Sequence, residues 1–286
     1  MKTSGNPNPP PSSGAEARSG SLDALLALAA RGLQQVRAGR SSATALEHAA
    51  PGLRPGAQAL LYHALRHLGL AEALRSRLAP RAPPPAVDAL LCTALALAAA
   101  PHGAGYEAFT LVNQAVQAAK RDAATRPQAA FVNACLRRFL RERESLLAAV
   151  SQDPVARWNH PRWWVERVQK EWPDDWQDML EANNAQAPMV LRINEQKSTP
   201  AQYVQALEAI NIGAYEHPPH AVVLERAVPV QQLPGFAEGV VSVQDHSAQR
   251  AAPLLLEGFP AGAPLHVLDA CAAPGGKTAH LLECAG

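Results

Sequence analysis

Apolar residues in the first half of the chain recur at intervals of three and four, the spacing that puts them on one face of an α-helix. The first such run extends from Leu25 to Val36, takes Ser21 or Asp23 as its N-cap, and stops near Gly39. Further helical patterns cover residues 57–68, 71–79, 86–99, 105–120 and 127–149. Prolines separate these runs, because proline interrupts a helix interior. Residues 21–150 therefore predict an all-helical domain of about six helices.

The pattern changes after Asn184, where short alternating and β-branched runs replace the helical spacing. The predicted strands are Met189–Ile193, Ala221–Leu224 and Val240–Val243, and the predicted helices are Thr199–Ile210 and Ser247–Leu256. The first of these helices has Pro200 in its first turn, where proline is well tolerated, and the second is expected to bend at Pro253. This part of the chain predicts a small α/β segment.

All five tryptophans lie between Trp158 and Trp176, in a segment that predicts a helix, a turn at Pro173 and a second helix to about Asn183. Clustered indole rings can stack on nucleic-acid bases. More often they anchor a connecting segment against its neighbours, and that is the interpretation we adopt.

Composition excludes disorder throughout, since 48% of the 286 residues are hydrophobic and 18% are charged. Residues 1–20, rich in Pro, Ser and Gly, predict a disordered tail. The sequence shows no signal peptide, and its longest apolar run, Ala86–Ala100, contains Asp88 and is too short to span a bilayer. The four cysteines form no CxxC or Cys/His cluster. We expect a cytoplasmic protein with reduced thiols, no membrane segment and no metal site.

Charge divides the chain into two halves. Met1–Lys170 has 21 Lys and Arg against 11 Asp and Glu, a net charge of +10, whereas Glu171–Gly286 has a net charge of −9. The basic half favours RNA binding, because arginine bonds two phosphate oxygens at once. The candidate RNA-contacting residues lie beside the apolar stripe of Phe131, Cys135 and Phe139, and they are Arg137, Arg138, Arg141 and Arg143.

The segment most informative about chemistry is Leu265–Leu282, with the sequence LHVLDACAAPGGKTAHLL. It predicts a short strand at Leu265–Leu268, a Pro/Gly loop after Asp269, and a helix that opens near Lys277. Such a turn places helix N–H groups against a negatively charged or nucleotide ligand. A Walker A loop would need glycine at position 271, where this chain has Cys271, and no GxGxxG fingerprint is present.

The run Asp269–Thr278, D-x-C-A-A-P-G-G-K-T, resembles the S-adenosylmethionine-binding motif of the NOL/NOP/Sun family of RNA cytosine-5 methyltransferases. Leu233–Gln249 and Glu181–Asn194 resemble the segments before that motif in the bacterial Sun/Fmu group, and FVNACLRRF resembles its NusB-like RNA-binding domain. The resemblance covers about residues 21–286. His246 departs from it, since a small residue is expected there.

The resemblance implies methylation of cytosine C5 in small-subunit (16S) ribosomal RNA, with a Cys thiolate that attacks C6 of the base. The backbone of the loop would wrap the S-adenosyl-L-methionine cofactor, through Cys271, Ala272, Ala273, Pro274, Gly275, Gly276 and Lys277. Lys277 would pair with the cofactor's carboxylate, and Asp269 would fix the loop. Thr278 is expected to play a structural part at the helix start.

No residue of the chain matches the family's nucleophile, which lies in a Thr-Cys motif well beyond the cofactor loop. We therefore expect the nucleophile beyond Gly286, an inactive fragment, and Cys271 as a loop residue. The remaining cysteines sit in helical patterns and are predicted to be buried, namely Cys92, Cys135 and Cys284.

The predicted architecture is multidomain, with an all-α NusB-like domain, a small α/β connector and the start of a Rossmann-like S-adenosylmethionine-dependent methyltransferase domain. The boundaries are 1–20 for the tail, 21–150 for the NusB-like domain, 151–245 for the Trp-rich connector and small α/β subdomain, and 246–286 for the incomplete methyltransferase domain. Two alternatives remain open. One is a non-enzymatic NusB-like RNA-binding protein with a degenerate appendage, and the other is a P-loop NTPase, weakened by Cys271.

Overall fold

A computed structural model describes residues 20–99, 106–260 and 262–285 of the chain. The tail predicted over residues 1–20 lies outside these residues, apart from Gly20. The chain divides into two compact units, unit 1 (Met1–Ala185) and unit 2 (Gln186–Gly286). The division falls inside the segment 151–245 that the sequence predicts as one connector, and the Trp-rich first part of that segment belongs to unit 1.

Unit 1 is helical throughout the residues described. Its helices are α1 (Leu22–Arg37), α2 (Ser42–Ala45), α3 (Arg54–Arg66), α4 (Leu68–Leu78), α5 (Pro85–Ala99), α6 (Ala108–Arg121), α7 (Ala129–Arg141), α8 (Arg143–Val150), α9 (Pro154–Trp158), α10 (Arg162–Glu171) and α11 (Trp176–Asn184). A 3-10 turn at Arg126–Gln128 precedes α7. The helical fold predicted for this part of the chain is confirmed.

Helix α5 is the centre of unit 1. It is apolar on every side, as expected of a helix that neighbours surround, and it packs against α1, α3, α4, α6 and α7. Leu91 and Leu95 are fully buried in it, and they meet Leu26 and Leu33 of α1 in a single hydrophobic core. Phe139 of α7 is fully buried in the same core, as the predicted stripe requires.

The single helix predicted over residues 127–149 is wrong, because α7 ends at Arg141 and α8 begins at Arg143. The interruption lies at Glu142, whose carbonyl accepts a hydrogen bond from the Ser145 hydroxyl. Its carboxylate is bonded by Arg138 and Arg141. Side chains that bond to nearby backbone offer the chain an alternative to a continuous helix.

The Trp-rich helices form a small core of their own within unit 1. Trp158, Val165, Val168 and Leu180 are buried there, and the rings of Trp158 and Trp176 meet edge-on with centroids 5.0 Å apart. Asn159 joins α9 to α4, since its side-chain oxygen accepts a hydrogen bond of 2.9 Å from the Leu70 amide. The cluster thus anchors this segment within unit 1 through buried rings, although Trp163 and Trp172 stay exposed.

Unit 2 is built on a four-stranded antiparallel sheet with the strand order β2-β3-β1-β4. The strands are β1 (Met189–Ile193), β2 (Ala214–His217), β3 (Ala221–Leu224) and β4 (Val241–Val243), and the helices are α12 (Pro200–Glu208), α13 (His246–Gln249), α14 (Ala251–Leu256) and α15 (Gly276–Ala285). Tyr203 and Leu207 of α12 pack with Leu191 and Val222 of the sheet. A capping box of Thr199 and Gln202 begins α12 where the sequence predicts it.

Three details of unit 2 differ from the expectations. Strand β2 was not predicted, because its residues are half-buried or exposed and carry no apolar alternation. The helix expected over Ser247–Leu256 is divided at Arg250 rather than bent at Pro253, which sits in the first turn of α14 where no N–H bond is lost. The strand predicted at Leu265–Leu268 is wrong, since no described segment pairs with it and a strand needs a partner.

Candidate cofactor loop

The loop between Asp269 and α15 is held at both ends by one carboxylate. Asp269 accepts a hydrogen bond of 3.1 Å at Oδ1 from the amide of Cys271 and one of 2.7 Å at Oδ2 from the hydroxyl of Thr278. The first bond turns the chain away from the end of the extended segment, and the second fastens that turn to the first turn of α15. Asp269 and Thr278 therefore take the positioning parts that the sequence suggests for them.

Gly275 makes the sharp entry into α15. Its φ angle of +103° is one that only glycine adopts without strain, and no described residue beyond its chain neighbours and its own helix comes within 4 Å of where a Cβ would stand. The carbonyl of Gly275 accepts the Ala279 amide at 2.8 Å, which begins the helical hydrogen bonding. The side of the loop next to Gly275 is thus open to an approaching group.

The predicted loop residues lie together in one exposed run of chain. Cys271, Ala272, Ala273, Pro274 and Lys277 are exposed, and Gly275 and Gly276 are half-buried. Exposed backbone beside a helix N-terminus presents N–H donors to a polar or anionic ligand. The ammonium group of Lys277 adds a positive charge at the same end of the helix. Donors of this kind fit the carboxylate and hydroxyl groups of the expected cofactor.

Helix α15 is fastened to the sheet of unit 2. Glu283 bonds Arg192 of β1, and the Glu283 carbonyl accepts a 2.8 Å bond from the side-chain amide of Gln196. Arg192 is buried, so this ion pair is shielded from water and resists screening more than a surface pair would. These bonds fix α15, the helix that follows the loop, against β1 of the sheet.

His280 lies behind the loop in the second turn of α15. It is buried, and its Nδ1 has no hydrogen-bond partner in the described part of the chain. Burial, helped by the positive charge of Arg192, lowers the pKa of His280 to about 4. At neutral pH its imidazole is therefore uncharged.

Two of the four cysteines are buried and two are exposed. Cys92 and Cys135 are buried as predicted, and burial raises the pKa of the Cys92 thiol to about 11. Cys271 and Cys284 are exposed. The prediction of a buried Cys284 is wrong, because it lies on the outward side of α15, where no described segment covers it.

The candidate RNA-contacting arginines differ in their partners. Arg138 and Arg141 both bond Glu142, whereas Arg137 donates a bond of 3.2 Å to the neutral side chain of Asn133. Neither Arg137 nor Arg143 makes an ion pair among the described residues. The charges of Arg137 and Arg143 are therefore not paired with a described carboxylate, while Arg138 and Arg141 share one.

Among the described residues, no helix is long and apolar enough to cross a membrane. Nor does the described part of the chain contain a group of three or more His, Cys, Asp or Glu side chains that could hold a metal ion.

The family comparisons match both parts of this architecture. Residues 15–141 match the NusB family, and residues 160–231 match the family described as Methyltr_RsmF/B-like, ferredoxin-like domain. The chain thus resembles a NusB-type helical domain over its first half and, over residues 160–231, the ferredoxin-like domain of the second family.

Two curated relatives illustrate the match along the chain. The chain is 48% identical over 154 residues to the ribosomal RNA small subunit methyltransferase B of Pseudomonas putida, a match that covers 53% of this chain and 34% of that protein. It is 46% identical over 166 residues to the protein of the same name from Salmonella arizonae, with 56% and 37% covered. These matches confirm the resemblance to the methyltransferase family, over little more than a third of the relatives' length.

A solved structure shares the fold. The crystal structure of PH0851 superposes with a TM-score of 0.61 at 18% sequence identity, and the match covers 93% of this chain and 61% of that one. At this identity the likeness concerns the fold alone.

Proposed function

We propose that the chain is the front part of an S-adenosylmethionine-dependent methyltransferase that modifies cytosine C5 in small-subunit ribosomal RNA. The observation that carries the proposal is the loop braced by Asp269 at the start of α15, in a chain whose relatives are ribosomal RNA methyltransferases. The domain boundaries at 150/151 and 245/246 and a cytoplasmic location belong to the same proposal.

In this proposal the residues of the loop bind and orient the cofactor. Bound S-adenosylmethionine supplies the activated methyl group. The loop would hold its methionine and ribose end through backbone N–H groups other than those of Cys271, which is bonded to Asp269, and Pro274, which has none, and Lys277 would neutralise its carboxylate. Asp269 touches no ligand and acts by keeping the loop in one shape. This arrangement favours the methyltransferase over a P-loop NTPase, because the Thr278 hydroxyl is bonded to Asp269 rather than free for Mg²⁺.

The nucleophilic thiolate belongs to residues beyond Gly286. Of the four cysteines present, Cys92 and Cys135 are buried in unit 1, Cys271 lies within the cofactor loop, and Cys284 is exposed in α15 but follows Glu283 rather than the threonine of the family's motif. The uncovered apolar side chains around the loop agree with this assignment, since Leu268 is 88% exposed and Val267 is 49% exposed. In this proposal Leu265–Leu268, which pairs with no described segment, becomes a strand only when residues beyond Gly286 supply parallel partners, and those partners would bury these two side chains.

The test compares this chain with a longer protein read from the coding sequence downstream of Gly286. Transfer of tritiated methyl groups from S-adenosylmethionine to small-subunit ribosomal RNA is measured for both. We expect transfer by the longer protein and none above background by the 286-residue chain. A stop codon directly after Gly286, or transfer by the short chain, would contradict the proposal.

The second candidate is a non-enzymatic RNA-binding protein, favoured by the closed core of unit 1 and the net charge of +10 up to Lys170. Titration with S-adenosylmethionine separates the two, since a protein that only binds RNA has no use for the braced loop. Binding by the longer protein that falls at least tenfold in its Asp269→Ala variant supports the methyltransferase. RNA binding with no cofactor binding supports the second candidate.

A further inference from the structure

Gln244 directly follows β4, and its backbone is fixed on two sides. Its amide donates a hydrogen bond of 3.1 Å to the carbonyl of Val190 in β1. Its carbonyl accepts one of 2.9 Å from the side chain of Gln249, a buried residue of α13. The point from which the Gln244 side chain extends is therefore set by the sheet and by α13.

The side-chain amide of Gln244 faces the start of α15. Its Nε2 lies 3.7 Å from the point where a Cβ on Gly276, the first residue of α15, would stand. Oε1 does not come within 4 Å of that point, and it is buried. The NH₂ side of the amide is thus turned towards the loop and the oxygen away from it. Since Gly276 has no side chain, only backbone atoms of that residue lie next to the NH₂ group.

The Nε2 atom of Gln244 is an available donor. It makes no hydrogen bond among the described residues, so its two N–H bonds are free for a ligand. The first three N–H groups of α15 are free as well, because the hydrogen bonding of this helix begins with the bond from the Ala279 amide to the Gly275 carbonyl. Side-chain and main-chain donors therefore meet at the start of α15.

Positive charge at the same place comes from Lys277, which makes no ion pair in the described part of the chain. The carboxylates next to these donors in the sequence bond to other groups. Asp269 is used within the loop, and Asp245 accepts a hydrogen bond of 2.8 Å from the Ser247 amide. Several donors beside one positive charge are the arrangement that binds a carboxylate group.

We propose that Gln244 is a further cofactor-binding residue, whose Nε2 donates a hydrogen bond to the carboxylate of S-adenosylmethionine. The same carboxylate accepts bonds from the first N–H groups of α15 and pairs with Lys277. The inference rests on the proposed function, because it takes the loop as the site of this cofactor. A residue next to the sheet thus takes part in a site that the sequence motif places wholly in the loop.

Calorimetric titration with two ligands tests this contact. S-adenosyl-L-homocysteine carries the amino-acid carboxylate, whereas 5′-methylthioadenosine keeps the adenosine part and lacks the carboxylate. The longer protein of the methyl-transfer test and the 286-residue chain are both titrated. Gln244→Glu replaces the donor by a charge that repels the carboxylate. We expect it to weaken the binding of S-adenosyl-L-homocysteine at least tenfold and that of 5′-methylthioadenosine less than twofold.

A second variant and a control separate the hydrogen bond from the added charge. Gln244→Met keeps the length of the side chain and removes only the donor, so it should weaken the binding of S-adenosyl-L-homocysteine about threefold or more, and less than Gln244→Glu does. Gln205→Glu places the same charge at an exposed position of α12 and should leave binding unchanged. Equal weakening of the two ligands by Gln244→Glu, or the same loss in the control, would contradict the contact.

NMR of the unaltered protein gives a measurement that does not depend on the folding of any variant. The side-chain NH₂ signals of Gln244 should shift and saturate with S-adenosyl-L-homocysteine and stay in place with 5′-methylthioadenosine. The NH₂ signals of exposed Gln205 should stay in place with both ligands. Gln244 signals that do not respond to bound S-adenosyl-L-homocysteine would overturn the proposal.

These outcomes are distinct from those of the methyl-transfer test. If the longer protein transfers methyl groups and its Gln244 variants bind S-adenosyl-L-homocysteine normally, the assignment of Gln244 fails and the proposed function stands. If binding depends on Gln244 but no methyl group reaches the ribosomal RNA, the assignment stands and the proposed function fails. If neither protein binds S-adenosyl-L-homocysteine, both fail.

Discussion

The two units treat their large apolar side chains in opposite ways. In unit 1 the leucines of α5, such as Leu91 and Leu95, are fully buried, and the large hydrophobic residues left exposed are aromatic: Tyr106, Phe109, Trp163 and Trp172. In unit 2 the exposed ones are Ile210, Tyr215 and Val243 in or beside the sheet, and a larger group within α14, α15 and the chain between them, namely Leu254, Leu255, Phe259, Val267, Leu268 and Leu282. Aromatic residues at a surface are common at interfaces, whereas a series of exposed leucines is unusual in a monomer.

This difference shows where the core of the described chain is complete. Unit 1 and the sheet of unit 2 each close around a buried cluster of their own. The part that follows Arg250 has apolar residues of the same kind but no second layer to cover them, and a domain needs at least two packed layers. The same leucine content is therefore stabilising in one region and exposed in the other.

The largest expected effect comes from a leucine truncation in the core of unit 1. Leu91→Ala in α5 should cost about 2–5 kcal/mol of unfolding free energy, since it removes a fully buried side chain and leaves a cavity. Urea unfolding followed by circular dichroism measures the loss. A cost below about 1 kcal/mol would mean that the core of unit 1 is loosely packed.

Acidification should destabilise both units through two histidines that are held neutral, half-buried His67 in unit 1 and buried His280 in unit 2. Partial or full removal from water lowers the pKa of each to about 4, below the ordinary value of 6.5. The stability that depends on the neutral rings is therefore complete above pH 6.5 and is lost as the pH falls from 6.5 towards 4. We expect a loss of at most about 1–2 kcal/mol per histidine between pH 7 and pH 5, and a smaller one for His67, whose exposed part stays in contact with water.

Variants assign that pH effect to its residues. His67→Gln should remove part of the pH dependence of unfolding in that window, and the exposed His48 changed to Gln serves as the control. Thermal melts at pH 7 and pH 5 provide the comparison. An unchanged difference in Tm between the two pH values for His67→Gln would contradict the assignment.

The loop brace gives a smaller, local effect. Asp269→Ala removes the hydrogen bonds to Cys271 and Thr278 and should cost about 1 kcal/mol for opening the loop, with unit 1 unaffected. Hydrogen exchange at the Cys271 and Ala279 amides should speed up severalfold. Thr278→Val removes one of the two bonds and should produce an intermediate rate, so equal rates in the two variants would count against a shared brace.

The smallest effect on stability is expected from changing an exposed leucine of unit 2. Leu268→Ser should change the unfolding free energy by less than about 0.5 kcal/mol, because the side chain is 88% exposed. The same change should reduce self-association, measured by light scattering after size-exclusion chromatography. A loss of several kcal/mol would show that Leu268 is buried in solution and would remove the contrast between the units.

Sequence patterns located most of the elements because their signals are local. The spacing of apolar residues predicted α1 and α3 to α6 to within a few residues, and β-branched runs predicted β1 and β3 with their observed bounds. The motif Asp269–Thr278 identified the loop, since each of its residue types has a backbone or side-chain reason to be there. No local sequence pattern predicted β2, which forms because β3 supplies its hydrogen-bond partners.

The sequence by itself determined the helical nature of unit 1, the small α/β segment that follows and the position of the loop between Asp269 and α15. Only the tertiary structure decided that Leu265–Leu268 pairs with no described strand, that Cys284 is exposed, and that the side chain of Gln244 faces the start of α15. The physical reason is the distance along the chain over which each interaction acts. Helix periodicity and turn chemistry act over a few residues, whereas strand pairing, burial and side-chain contacts depend on which distant segments are present to meet.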